Sequence, residues 1–240
     1  MDTTGGVTAG REDRTVRTYD LTRQVTDGMP TYPGDPDVSV ATTGTVEEDG
    51  YRSTEFSMGT HAGTHVDAPA HTEPGGRTLD DYPASAFRFD AVRLEITGKA
   101  PRDPIERTDI RDAAAAVSPE DAFGADVLVL RTGWDEYWGT EWYGDHPFLT
   151  PAAAEWLADN DYDVALDAPS VDPTPSPNSR PVEPDGYPAH HAILGAGQFI
   201  VENLTNLHDP PSRFTLHAYP LAVAGAEAAP TRAVAIDEDG

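Results

Sequence analysis

The sequence predicts an α/β layered fold, because short runs nearly continuous in valine, leucine and isoleucine alternate with stretches of good helix formers, and glycine- and proline-rich turns separate them. The 240 residues can bury a full core, and no internal repeat or interdomain linker divides them. One domain over residues 15–240 is expected, preceded by a polar, glycine-rich leader at 1–14 that takes no part in the core.

Regular structure is expected to begin near Val16. YDLTRQVTDGMPTYPGDP, residues 19–36, runs into turn chemistry at Asp27-Gly28 and Pro33-Gly34-Asp35-Pro36. Those turns place Tyr32 on a rigid loop, where its ring is a candidate pocket wall. STEFSMGTH sets Phe56 and Met58 against Glu55 and Ser57, the alternation of a strand that would deliver His61 at its end.

DAVRLEI at 90–96, DVLVLRT at 126–132, YDVALDA at 162–168 and QFIVENL at 198–204 predict further strands, buried on both faces where the apolar run is unbroken. FTLHAYPLAV and TRAVAID add a final pair. Thr150 followed by Pro151 offers a helix cap and a proline at the first helical position, so residues 152–159 are expected to be helical, with Trp156 and Leu157 toward a core. A second helix is expected around Asp109 to Val117. The proline-rich stretch 167–188 is too long for a tight connection and suits a lid or an interface loop.

The chain carries 42 acids against 16 bases, a formal charge of -26. Contacts with nucleic acid phosphates or an anionic membrane would begin with repulsion, so a small-molecule partner is expected instead. Lys99 is the single lysine among those bases, and the acids are spread along the chain. Such a surface suits high salt, where screening shortens the reach of repulsion, and it points to a halophilic source. With no cysteine, any metal must take nitrogen and oxygen ligands. No apolar run approaches the ~20 residues of a membrane span, and the first residues lack the apolar core of a signal peptide, so the cytoplasm is the expected compartment.

The densest chemistry lies in HAGTHVDAPAH, residues 61–71, which holds three of the eight histidines and an aspartate. Imidazole and carboxylate bind first-row divalent metals, and catalytic sites usually offer about three protein ligands with a position for water. His61, His65 and Asp67 meet that count. Gly63, Thr64 and Pro69 argue against a long helix and favour an irregular turn after the strand. His71 is either a fourth ligand or an acid/base group; an ordinary histidine pKa near ~6.5 suits proton transfer and favours the second role. Farther on, His190 and His191 precede a small-residue turn, and Glu202 interrupts an apolar strand. A buried glutamate there needs coordination or a strong hydrogen bond, whereas an edge strand would leave it in solvent.

HAGTHVDAPAH resembles the HxGTHxDxPxH signature of the cyclase family of metal-dependent hydrolases, which includes the bacterial kynurenine formamidases. The opening segment, LVLRTGW, LDAPSVD and HHAILGAGQFIVENLTNL resemble further family segments in order over roughly residues 18–236. The resemblance implies a swivelling β/α/β domain, a mixed sheet flanked by helices, assembled as a homodimer or larger homo-oligomer. It implies one or two divalent metals per subunit, zinc or manganese, held by His61, His65, Asp67 as a bridge, His190 and Glu202, with His71 moving the proton. Tyr32 falls where formamidases of the family carry a tryptophan at the substrate. The implied activity is hydrolysis of an arylformamide; a cyclic-amide or other amide or ester hydrolase, and a metal-dependent binding protein, are the competing expectations.

Overall fold

A computed structural model describes residues 16–117 and 124–238, so the expected leader at 1–14 lies outside the described residues. In chain order the elements are β1 (Arg17–Asp20), β2 (Ser39–Gly44), α1 (Val46–Asp49), β3 (Ser53–Ser57), β4 (His65–Asp67), β5 (Arg88–Glu95), β6 (Pro104–Ile105), α2 (Arg107–Val117), β7 (Val127–Arg131), β8 (Phe148–Leu149), α3 (Pro151–Asp159), β9 (Asp163–Leu166), α4 (Pro188–Gly195), β10 (Ile200–Glu202), β11 (Arg213–Pro220) and β12 (Ala228–Asp237). Among the described residues no helix is long and apolar enough to cross a membrane.

Eight strands form one mixed sheet in the order β1-β12-β11-β5-β7-β9-β10-β4. The steps β5–β7, β7–β9 and β9–β10 are parallel, and the other steps are antiparallel. Strand β4 also pairs with the start of β12, which closes the sheet on itself like a barrel. Closure leaves β4 with partners on both edges although it is three residues long.

Period-two alternation divides the strand residues between two cores. Val92, Leu94, Leu128, Leu130, Val164 and Leu166 face outward against Ile110 of α2, Ala153 and Leu157 of α3 and Ile193 of α4. Their neighbours Ala91, Val127, Val129 and Ala165 face inward with Ala218, Ala233 and Ala235, small residues suited to a narrow enclosed interior. The unbroken apolar runs of β7 and β9 follow from this two-sided burial.

The helix at 151–159 forms as its signals predict: the Thr150 hydroxyl accepts the Ala153 N–H at 3.2 Å and Pro151 opens the first turn. One local expectation is corrected. Strand β3 ends at Ser57, four residues before His61, and among the described residues pairs only with β2, in a separate hairpin; Phe56 is 57% exposed, so its alternation marks no core face. The small-residue turn expected after His190 and His191 forms at Ala196-Gly197, but the histidines before it lie on a helix the sequence reading did not foresee, α4, which Pro188 opens and Asp172 caps.

Residues 167–187 contain no helix or strand, yet they are fastened down. Arg102 is buried with a left-handed φ of 61°. Its Nε donates to Glu183 at 2.7 Å and its Nη1 to the Thr174 carbonyl at 3.0 Å. Asp145 accepts from Ser176 Oγ and from Asn178 Nδ2 at 2.6 Å, and His146 Nε2 lies 2.8 Å from Thr174 Oγ1. The proline-rich stretch is therefore a wall tied to the chain segment at 102–146.

Candidate metal centre

The site is assembled by strand register. In the β4–β10 ladder His65 stands opposite Glu202 and Asp67 opposite Ile200, while β12 sets Ala228 opposite Asp67. His65, Asp67 and Glu202 are all buried. One ligand atom from each lies within 4.8 Å of the others, and a second such trio joins His61, Asp67 and His71. The expected irregular turn covers only the residues before His65; the ligands from His65 to Asp67 lie on a strand, because both edges of β4 find backbone partners.

Asp67 is common to both trios. Its Oδ1 is 2.9 Å from His61 Nδ1 and 3.3 Å from His65 Nε2, and its Oδ2 is 3.8 Å from His190 Nε2. Glu202 reaches His65 Nε2 at 3.5 Å and His190 Nε2 at 3.4 Å, and its Oε1 accepts the Val171 N–H at 3.1 Å. The remaining sequence candidates separate clearly. Tyr32 lines the cleft above the centre, while His191 turns outward to Glu73 at 2.7 Å. His146 is buried behind the wall, where desolvation lowers it to about 4.

The electrostatics favour a cation among these groups. Burial alone would lower His65, but Asp67 and Glu202 hold it well above the ordinary imidazole value; Asp172 and Glu202 do the same for His190. Asp67 and Glu202 are held low by the histidines against the opposing effect of burial. The Asp67 and Glu202 carboxylates offer oxygens within 4.8 Å of each other, a separation at which two such charges repel by roughly 3 kcal/mol at an effective dielectric near 20.

The donor set also fits a divalent metal by its hydrogen bonding. His65 Nε2 and both oxygens of Asp67 are buried without a hydrogen-bond partner. His65 Nδ1 lies 2.8 Å from the Gly63 carbonyl, so in the neutral ring that nitrogen carries the proton, and a cation at the carboxylates would take the Nε2 lone pair in place of the second proton that Asp67 and Glu202 favour there. Lone pairs converging on one buried point with no donor between them are the arrangement a metal satisfies. His71 is held below the ordinary histidine value chiefly by burial, with His61 and His190 adding to it against the pull of Asp67 and Glu202.

Two contributors carried no signal for their roles in the sequence. Asp172 Oδ2 accepts from His190 Nδ1 at 2.8 Å and from the His190 backbone at 2.9 Å, and its Oδ1 accepts the Ala189 N–H at 2.9 Å. It fixes the start of α4 and turns Nε2 of His190 inward. Replacing Asp172 with Asn should weaken metal affinity by about 10- to 100-fold, as loss of such supporting partners does; a competition titration against a chelating dye would measure it. Unchanged affinity would leave Asp172 only its helix-capping role. The second contributor, Glu227, lies 3.4 Å from His61 Nε2.

A cavity of about 640 Å³ opens over the centre. His61, His65, His71, His190 and Glu202 form its floor, and Tyr32, Trp138, Tyr143 and Tyr187 contribute aromatic walls. A buried histidine–carboxylate cluster below an aromatic cleft of this size suits a divalent metal acting on a small organic molecule.

The Cyclase family model matches residues 19–173. A kynurenine formamidase of Salinibacter ruber is 33% identical over 221 residues, covering 91% of this chain and 96% of that protein. A solved structure described as a potential metal-dependent hydrolase with cyclase activity superposes with a TM-score of 0.71 at 26% identity, over 92% of this chain and 98% of that one. Isatin hydrolase A from Ralstonia solanacearum shares the fold with a TM-score of 0.77 at 21% identity, over 92% of each chain. The chain belongs to the cyclase family.

Proposed function

We propose that this protein hydrolyses the carbon–nitrogen bond of an arylformamide, such as N-formylkynurenine, in a metal-dependent reaction. The observation that carries the reading is the set of buried acceptors without donors on Asp67 and His65, at the floor of an aromatic cleft. Similarity to the Salinibacter ruber kynurenine formamidase over 91% of the chain supports the substrate class. His61, His65, Asp67, His190 and Glu202 would hold zinc or manganese, one or two ions per subunit. Once bound, a divalent cation supplies Lewis acidity that polarises the carbonyl and acidifies the attacking water.

The chain's own groups perform the rest. His71 faces the cleft with its ring 4.0 Å from that of His61 and 5.5 Å from that of His190. Held below the usual histidine value, it is a free base at neutral pH and can take the water proton. It then returns that proton to the departing nitrogen, which as an amine anion would leave poorly. Tyr32, Trp138 and Tyr187 offer flat surfaces for an aromatic ring. Burial and a hydrogen bond with Tyr187 keep the Tyr32 phenol above its ordinary value, so it remains a neutral donor at the mouth. The protein is read as a cytoplasmic homodimer or larger homo-oligomer, with an acidic surface suited to high salt.

Exhaustive chelation of the purified protein should abolish turnover of N-formylkynurenine, and zinc or manganese should restore it. Full activity after chelation would end the metal-dependent reading. A parallel assay with isatin separates the substrates: ring opening of isatin without formamide cleavage would move the activity to cyclic amides on the same scaffold.

A further inference from the structure

His61, His65 and His190 each turn one nitrogen toward the carboxylates of the centre and have a partner near the other nitrogen. His65 has its Nδ1 at the Gly63 carbonyl and its Nε2 toward Asp67 and Glu202. His190 has its Nδ1 at Asp172 and its Nε2 toward Asp67 and Glu202. His61 is reversed: its Nδ1 is 2.9 Å from Asp67 Oδ1, and its Nε2 is 3.4 Å from Glu227 Oε1.

We propose that Glu227 is a positioning residue that fixes His61 in the tautomer with the proton on Nε2, so that Nδ1 is the nitrogen this histidine offers to a metal. The inference rests on the metal-centre reading given above. A neutral imidazole has one N–H, for which Asp67 at 2.9 Å from Nδ1 and Glu227 at 3.4 Å from Nε2 both offer an acceptor; a cation held by Asp67 would exclude the proton from Nδ1, and Glu227 is then the carboxylate that receives it on Nε2. A carboxylate on the far nitrogen also raises the basicity of the ligating one.

Glu227 is well fixed for this task. Its Oε1 accepts the Thr60 hydroxyl at 2.7 Å, one residue before His61. Its backbone carbonyl accepts the Ala68 N–H at 2.8 Å, one residue after Asp67. The next residue, Ala228, stands opposite Asp67 in the β4–β12 ladder. The start of β12 thus grips the histidine-rich motif on both sides of its ligands, and the carboxylate reaches His61 from a backbone that cannot slide relative to Asp67.

The test compares wild type, Glu227→Gln, Glu227→Ala and Thr60→Val. Metal-free protein is titrated with Zn²⁺ against a chelating dye, and ring-nitrogen NMR of the loaded protein reads the His61 tautomer. Glu227→Ala should lower zinc affinity by about 10- to 100-fold and lose the pure Nε2–H signature of His61. Glu227→Gln, which keeps an acceptor but not the charge, should fall between it and wild type. Thr60→Val, which removes only the tether, should lose a few-fold at most. Wild-type affinity in Glu227→Ala, or a wild-type His61 protonated on Nδ1, would overturn the assignment. If Glu227→Ala does not fold, Glu227→Gln and the wild-type spectrum still decide it. A wild type that binds no zinc or manganese would overturn the metal centre itself, an outcome distinct from a metal-binding protein indifferent to residue 227.

Discussion

Replacing His71 with Ala is expected to lower kcat by about 10²- to 10⁴-fold, the usual worth of a positioned acid/base group, while metal content stays at the wild-type level. The position is built to be rigid. His71 ends a single helical turn, Pro69–His71, whose N–H bonds to the Ala68 carbonyl at 2.9 Å. Pro69 stiffens the entry, and Gly76 packs so closely behind it that an added Cβ would lie 2.5 Å from the Pro69 carbonyl carbon. The geometry also allows His71 into a ligand trio with His61 and Asp67. Elemental composition of His71→Ala separates the two roles: full metal with little turnover makes it the proton carrier, whereas metal loss makes it a ligand. Near-normal turnover would remove it from the reaction.

The second large effect is expected at Asp67. Asp67→Asn should abolish stoichiometric metal binding and lower turnover by a thousandfold or more, since metal assistance is worth several kcal/mol. Asp67 serves both trios, so its loss dismantles them together. Asn would also place an NH₂ donor where His61 Nδ1 and His65 Nε2 converge at 2.9 and 3.3 Å. Thermal denaturation gives an independent reading. Metal at 100 times its Kd should stabilise wild type by about 2.7 kcal/mol by mass action, and the Asn variant should not respond. Wild-type metal affinity in Asp67→Asn would sink the assignment of Asp67 as the shared ligand.

The strands and the capped helix at 151–159 were legible because their signals are local. Valine-rich runs, a Thr-Pro start and alternating burial operate over a few residues. Helix α4 escaped because its eight residues, PAHHAILG, begin without a capping side chain of their own. Its cap, Asp172, arrives from 17 and 18 residues away. The exposure of β3 escaped for the opposite reason: its alternation is genuine, but nothing in it says which sheet, if any, will cover Phe56.

For the site, the sequence by itself determined the chemistry. Eleven residues set three histidines and an aspartate within reach of one another, the missing cysteines confined ligands to nitrogen and oxygen, and the acid excess disfavoured polyanionic partners. Only the tertiary structure decided the geometry. The β4–β10 register brings Glu202 opposite His65, closure through β12 brings Glu227 beside His61, and the tethered loop brings Asp172 to His190. The difference is physical: clustering within a short segment is fixed by covalent spacing, but the Glu202 and Glu227 contacts, across more than a hundred residues, depend on strand pairing whose register the buried inner core selects, and the Asp172 contact depends on how its loop is tied down.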